Sequence, residues 1–128
     1  MSDNIKVIKR KALKKGVQEY YDHYTVATEL YNEVLYNHQF EGIETALTYH
    51  MNIMNDLNET FKLLEPLEES IDMIGLEKCI FKTRTERLAL DNYYALQELR
   101  DLYKEVEQQY YTLKTYGIMK GEDNHDTD

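Results

Sequence analysis

Apolar residues recur along this chain with the period of an α-helix and not of a strand. In the C-terminal half a four-three-four-three spacing joins Phe81, Thr85, Leu88, Asn92, Ala95, Leu99, Leu102, Val106, Gln109, Leu113 and Tyr116. That is the rhythm of about five heptads, and it predicts one helix over 77–116. Leu96, Tyr103 and Tyr110 add a second row beside the seam, a stripe wide enough to bury against more than one neighbour. The same spacing through Ile43, Leu47, His50, Met54, Leu57, Phe61 and Leu64, bounded by Gly42 and Pro66, predicts a helix over 43–64. Val17, Tyr20, Tyr21, Tyr24, Ala27, Tyr31, Val34 and Leu35 share one face, which predicts a helix over 17–38. Pro66 suits a first helical turn, and Leu67, Ile71 and Ile74 after it predict a short helix over 66–74.

The expected fold class is all-α: an antiparallel helical bundle of three long helices plus one short helix, with an extended coiled-coil-like C-terminal helix. The short connections near 39–42 and 65 make consecutive helices antiparallel neighbours. Gly16 costs about 1 kcal/mol relative to Ala inside a helix, and so marks off a basic N-terminal arm (1–16) from the helical domain (17–117). Gly117 stands where a left-handed cap would end the last helix, ahead of an acidic disordered tail over 118–128. A helix of about 40 residues spans roughly 60 Å, whereas a compact chain of this size is only about 36 Å across. Part of the seam must therefore fold back or pair with another chain. Asn92, Leu99, Leu102 and Val106 are the candidate seam of a homo-oligomer, with Asn92 either fixing register and partner number or facing water at a margin.

Charge changes the picture of partners. The 128 residues carry a net charge of −9, but residues 1–15 hold six bases and one acid, leaving nine bases and 23 acids in the rest. An acidic body repels phosphate backbones and anionic membranes and favours a basic protein partner. The basic arm, with Lys6, Lys9, Arg10, Lys11, Lys14 and Lys15 set among Ile5, Ile8 and Ala12, is the one segment with a nucleic-acid signature. Its pattern equally suits the acidic body or an anionic membrane. No stretch approaches the roughly 20 uninterrupted apolar residues that span a bilayer, so a membrane is not an expected partner. The single cysteine, Cys79, forms no internal disulfide and fits a reducing, cytoplasmic compartment. Eleven Lys against four Arg, with many Asn, Ile and Tyr, is associated with an AT-rich genome such as that of a low-GC bacterium or its phage.

The catalytic inventory is thin. One Glu, Glu122, stands three residues before a His, His125, where di-iron helical proteins require two such pairs on facing helices, and the Glu19 and His23 pair alone suits a surface hydrogen bond better than a metal. Ser2 and Ser70 are the only serines, and no Gly-rich loop cradles phosphate. No metal or cofactor is expected. Of the 12 tyrosines, Tyr24, Tyr31, Tyr103 and Tyr110 fall on the predicted core faces. Tyr36, Tyr93, Tyr94 and Tyr111 project away from them, as aromatics at protein contacts do. The expectation is a non-enzymatic helical interaction protein, a regulator or assembly factor that presents helix surfaces to a protein partner. The alternative is a nucleic-acid-binding accessory protein that uses the basic arm.

Overall fold

The computed structural model describes residues 8–66 and 84–126. Among them all regular structure is helical: α1 (Arg10–Leu35), a single 3-10 turn (Phe40–Gly42), α2 (Ile43–Leu64) and α3 (Arg84–Asp126). Each of the three helices packs on the other two. The expected short helix over 66–74 and the first turns of the expected 77–116 helix lie outside the described residues.

The contacts fix how the helices run past one another. As α1 numbers rise, their α2 partners fall, from Tyr20 on Thr60 to His23 on Tyr49 to Val34 beside Gly42. Between α1 and α3 the numbers rise together, from Ile8 on Asn92 through Tyr21 on Glu98 to Thr28 on Gln109. Between α2 and α3 they run oppositely, with Ile43 against Gly117, His50 on Gln109 and Phe61 against Tyr103. The main core gathers Ala27, Ile53, Leu57, Leu64, Leu96, Leu99, Leu102 and Val106, with the rings of Tyr24, Tyr103 and Tyr110 half-buried on its margin. A smaller cluster of Val34, Ile43, Ala46 and Leu113, with Tyr31 at its edge, closes the end where the 3-10 turn joins α1 to α2. Burying each valine, leucine or isoleucine among them contributes about 1.5–3 kcal/mol.

Three boundaries differ from the sequence expectation, each for a physical reason. α1 begins at Arg10 and runs straight through Gly16, because buried Leu13 and the anchored Ile8 before the first turn offset the cost of one helical glycine. It ends at Leu35, short of 38. His38 takes a left-handed φ of 58°, which lets the Gln39 N–H return to the Glu33 carbonyl at 3.0 Å, as in helix ends closed by a left-handed residue. α3 does not stop at Gly117 but continues to Asp126, so residues 118–126, expected as a tail, are helical in backbone. Gly117 serves close approach and not capping: a Cβ there would lie 2.8 Å from Ile43 Cδ1.

The seam reading needs a larger correction. Asn92, Leu99, Leu102 and Val106 are all buried within the single chain, none more than 4% exposed. They are this chain's own core and offer no surface to a second copy. The early start of α1 accounts for Asn92, which meets Ile8, whereas Leu102 and Val106 lie between the levels of Tyr21 and Thr28, a stretch of α1 that the spacing already placed in a helix.

Gly16 of α1 and Gly117 of α3 respond oppositely to added bulk. Gly16→Ala is expected to raise stability by about 0.5–1 kcal/mol, because a Cβ at that position meets nothing within 4 Å. Gly117→Val drives branched atoms against Ile43 and is expected to cost about 1–3 kcal/mol. Urea midpoints of the two variants measured against the parent check both signs.

Candidate interaction surfaces

Two polar positions on α3, buried Asn92 and half-buried Gln109, organise the interior. The Asn92 side chain faces the backbone of Ile8 with both ends: its Oδ1 accepts from the Ile8 N–H at 2.9 Å, and its Nδ2 donates to the Ile8 carbonyl at 2.9 Å. The side chain thereby treats residue 8 as a neighbouring strand would, and it holds the start of α1 on α3. Seventeen residues on, Gln109 joins all three helices. His50 on α2 sets Nδ1 at 2.7 Å from the Ala46 carbonyl and Nε2 at 2.8 Å from Gln109 Oε1, and the Gln109 amide also meets Thr28 Oγ1 at 3.1 Å. The Ala46 carbonyl only accepts, so Nδ1 carries a proton. A neutral ring then accepts at Nε2 from the amide nitrogen, with that group turned over and its oxygen toward the Thr28 hydroxyl; Nε2 donates to the amide oxygen only in the doubly protonated ring. Either arrangement leaves every buried polar atom of the described residues paired. His50 is thus a structural link between helices, and Asn92 sets register inside the chain.

The four candidate interface tyrosines do not form one patch. Tyr94 and Tyr111 are 53% and 57% exposed, but 17 residues of α3 put them about 25 Å apart. Tyr93 is only half-buried and stacks edge-on against Tyr94 with ring centres 5.9 Å apart. Tyr36, 69% exposed, follows Leu35, which lines a shallow apolar groove with Tyr111, Tyr116 and Met119. Tyr36 and Tyr111 therefore share one end of the molecule and Tyr93 and Tyr94 the other.

The basic residues fall at the start of α1, apart from Lys6, which lies outside the described residues. Lys9, Lys11, Lys14 and Lys15 are exposed, and Arg10 is the first residue of the helix. The first turn has no acid and no side-chain cap, so these charges meet the positive end of the helix dipole, an arrangement that costs stability. Lys14 lines a groove between α1 and α3 together with Asp91 and Glu98, which brings carboxylates to the one place a phosphate would need cations. In the same groove the Tyr21 hydroxyl donates to Glu98 Oε1 at 3.0 Å. Burial, that hydrogen bond and the charges of Glu98 and Asp101 all hold the phenol above its ordinary value of 10.0.

A second groove, of about 320 Å³, opens between α1 and α2 beside Gly16. Leu13, Val17, Leu64 and Leu99 contribute to its apolar lining and Glu19 and Asp56 are its carboxylates. Leu63, 67% exposed, stands on its α2 side. Above it His23, weighed with Glu19 as a metal pair, hydrogen-bonds the Tyr49 hydroxyl at 3.1 Å instead. Among the described residues no group of three or more His, Cys, Asp or Glu is placed to hold a metal ion, and no helix is long and apolar enough to cross a membrane. Neither this groove nor the Asn92 clamp was anticipated from the sequence. The signal for the clamp was an Asn in an apolar row, and for the groove a glycine on the face of an otherwise regular helix.

Asn92→Ala strips both partners from the Ile8 peptide groups and is expected to cost about 1–3 kcal/mol. Amide exchange resolved by residue should then accelerate far more at Ile8 than at Leu57. For Tyr21, a folded-state value above 10.0 means that the neutral phenol's contribution is complete below about pH 10 and is lost as pH rises through the folded value. Tyr21→Phe should flatten that fall, and an ultraviolet phenolate titration should lose its late-ionising component. Set against protein families, curated proteins and solved structures, the chain matches none.

Proposed function

We propose that this chain is a non-enzymatic interaction protein, a regulator or assembly factor, that presents the face shared by α1 and α2 to a basic protein partner. One observation carries the reading. From Gly16 to Phe61 there is no lysine or arginine, while Glu19, Asp22, Glu29, Glu33, Glu41, Glu44, Asp56 and Glu59 are all present and all exposed. Eight like charges on two packed helices and the turn between them repel one another and destabilise the compact state. No base within that span neutralises them, although Glu59 at its edge pairs with Lys62 at 3.0 Å. Complementary charge on a partner would relieve the repulsion and raise the encounter rate. The nucleic-acid reading of the basic segment has less support, because Lys14 shares its groove with Asp91 and Glu98. A cytoplasmic location accompanies the proposal, on the strength of the single Cys79.

The test is affinity capture from the source cells with the parent and with a Glu19→Lys, Glu29→Lys, Glu33→Lys variant. All three positions are exposed, so each change should alter stability by no more than about 0.5 kcal/mol. The parent should retain a basic protein, less of it as salt rises, and the variant should lose it. Equal recovery by both, or recovery of nucleic acid alone, overturns the proposal.

A further inference from the structure

The groove beside Gly16 narrows the kind of partner further than charge alone does. We infer, on the footing of a basic partner for the α1 and α2 face, that this groove seats one apolar side of a basic amphipathic helix supplied by that partner. The cleft is bounded by α1 and α2, with Leu99 of α3 also in its lining. Gly16 keeps it open: a Cβ built there meets nothing within 4 Å. A pair of helices offers a docking peptide no free backbone groups, since these are spent within the helices. An extended segment laid along the cleft would leave its own N–H and C=O groups unpaired where it is buried. A helix satisfies its backbone internally and presents apolar side chains at helical spacing, which is the mode that grooves between helices accept.

Charge fixes the rest of the occupant. The carboxylates of the lining are Glu19 on α1 and Asp56 on α2, one on each helix. The remaining acids of the Gly16 to Phe61 span continue along both helices with no lysine or arginine among them, and His23 is a further titratable side chain of the lining. One residue before Gly16, Lys15 begins the basic segment of α1. The cationic residues of the partner helix therefore lie over Glu19 and Asp56 and not over the first turns of α1, which also sets its direction in the groove. Tyr20 stiffens the wall between the two acids, its hydroxyl lying 2.7 Å from Thr60 Oγ1 and 3.1 Å from the Asp56 carbonyl oxygen.

The probe is a synthetic helix of about 18 residues with Leu at i, i+3, i+4 and i+7 and Lys elsewhere, titrated calorimetrically into the full chain. A matched peptide carrying Glu in place of Lys serves as control. Gly16→Leu fills the groove without removing any contact, and it also replaces a helical glycine with a better helix former, so it should melt no lower than the parent. It is expected to weaken the Lys peptide at least about tenfold, or 1.4 kcal/mol. Glu19→Lys with Asp56→Lys should abolish preference for the Lys peptide over the Glu peptide. If Gly16→Leu binds as tightly as the parent while charge reversal still releases the peptide, the groove is overturned and the acidic face stands. If the Lys peptide binds no better than the Glu peptide to the parent, both readings fall. Equal loss on Gly16→Leu of a small uncharged apolar dye and of the peptide, with no effect of charge reversal on either, would make the groove a small-molecule site and would also overturn the inference.

Discussion

A row of leucines does not define its own register. Leu99, Leu102, Val106 and Leu113 repeat closely enough that α3 could slide past its neighbours by a turn or a heptad and still bury similar apolar area. What forbids the slip is the pair of polar side chains in that row. Asn92 must find the Ile8 peptide groups, and Gln109 must find His50 and Thr28. Any displaced register buries at least one amide with no partner, at a cost of roughly 1–3 kcal/mol per group. The first clamp fixes where α1 starts on α3, the second fixes α1 and α2 on α3 together, and the grooves on the surface take their positions from both. Polar groups in a core are often retained for such specificity and not for net stability. Here the two sites stand 17 residues apart on one helix and so determine its axial position twice over.

Much of this was legible in the sequence where packing alone decides. The spacing placed a helix over 43–64, and α2 runs Ile43–Leu64. It also placed Leu99, Leu102, Val106 and Leu113 on one inward face, and all are buried. What the spacing could not carry was which surface that face meets. A heptad row looks the same whether its complement comes from the same chain or from another copy, and at Asn92 that complement is Ile8, ahead of the Gly16 that marked off the arm. Glycine is a weak breaker, costing about 1 kcal/mol, and a buried leucine and a doubly bonded backbone, both ahead of it in the chain, outweigh it. Gly117 misleads for a different reason. As a C-cap and as a close-contact residue glycine reads identically, and only the approach of Ile43 distinguishes the two.

The surface residues were harder still. Exposure of Tyr36, Tyr94 and Tyr111 follows from their place off the stripes, and the wheel predicts it well. Whether exposed rings lie together depends on their distance along the axis, which a face assignment omits: residues on one side of a long helix can stand several turns apart. The acidic face illustrates the opposite case. Its charges are scattered from Glu19 to Glu59 in sequence, yet the return of α2 along α1 brings Glu19 and Asp56 into the lining of one groove.

The segment from Lys9 to Gly16 concentrates the departures from local preference. Its bases sit against the positive end of the helix dipole, its first turn has neither an acid nor a side-chain cap, and a glycine occupies its second turn. Each feature alone costs a fraction of a kcal/mol to about 1 kcal/mol. The compensation comes from elsewhere, through Leu13 in the core and Asn92 on the backbone of Ile8. Where local preference is broken repeatedly in one short stretch and repaired at a distance, stability is not what that stretch was arranged to provide. Glycine keeps the cleft open, and the change from bases to acids along α1 occurs beside it. Both features give the outer surface of α1 a direction along its axis that a uniformly capped and charge-balanced helix would lack.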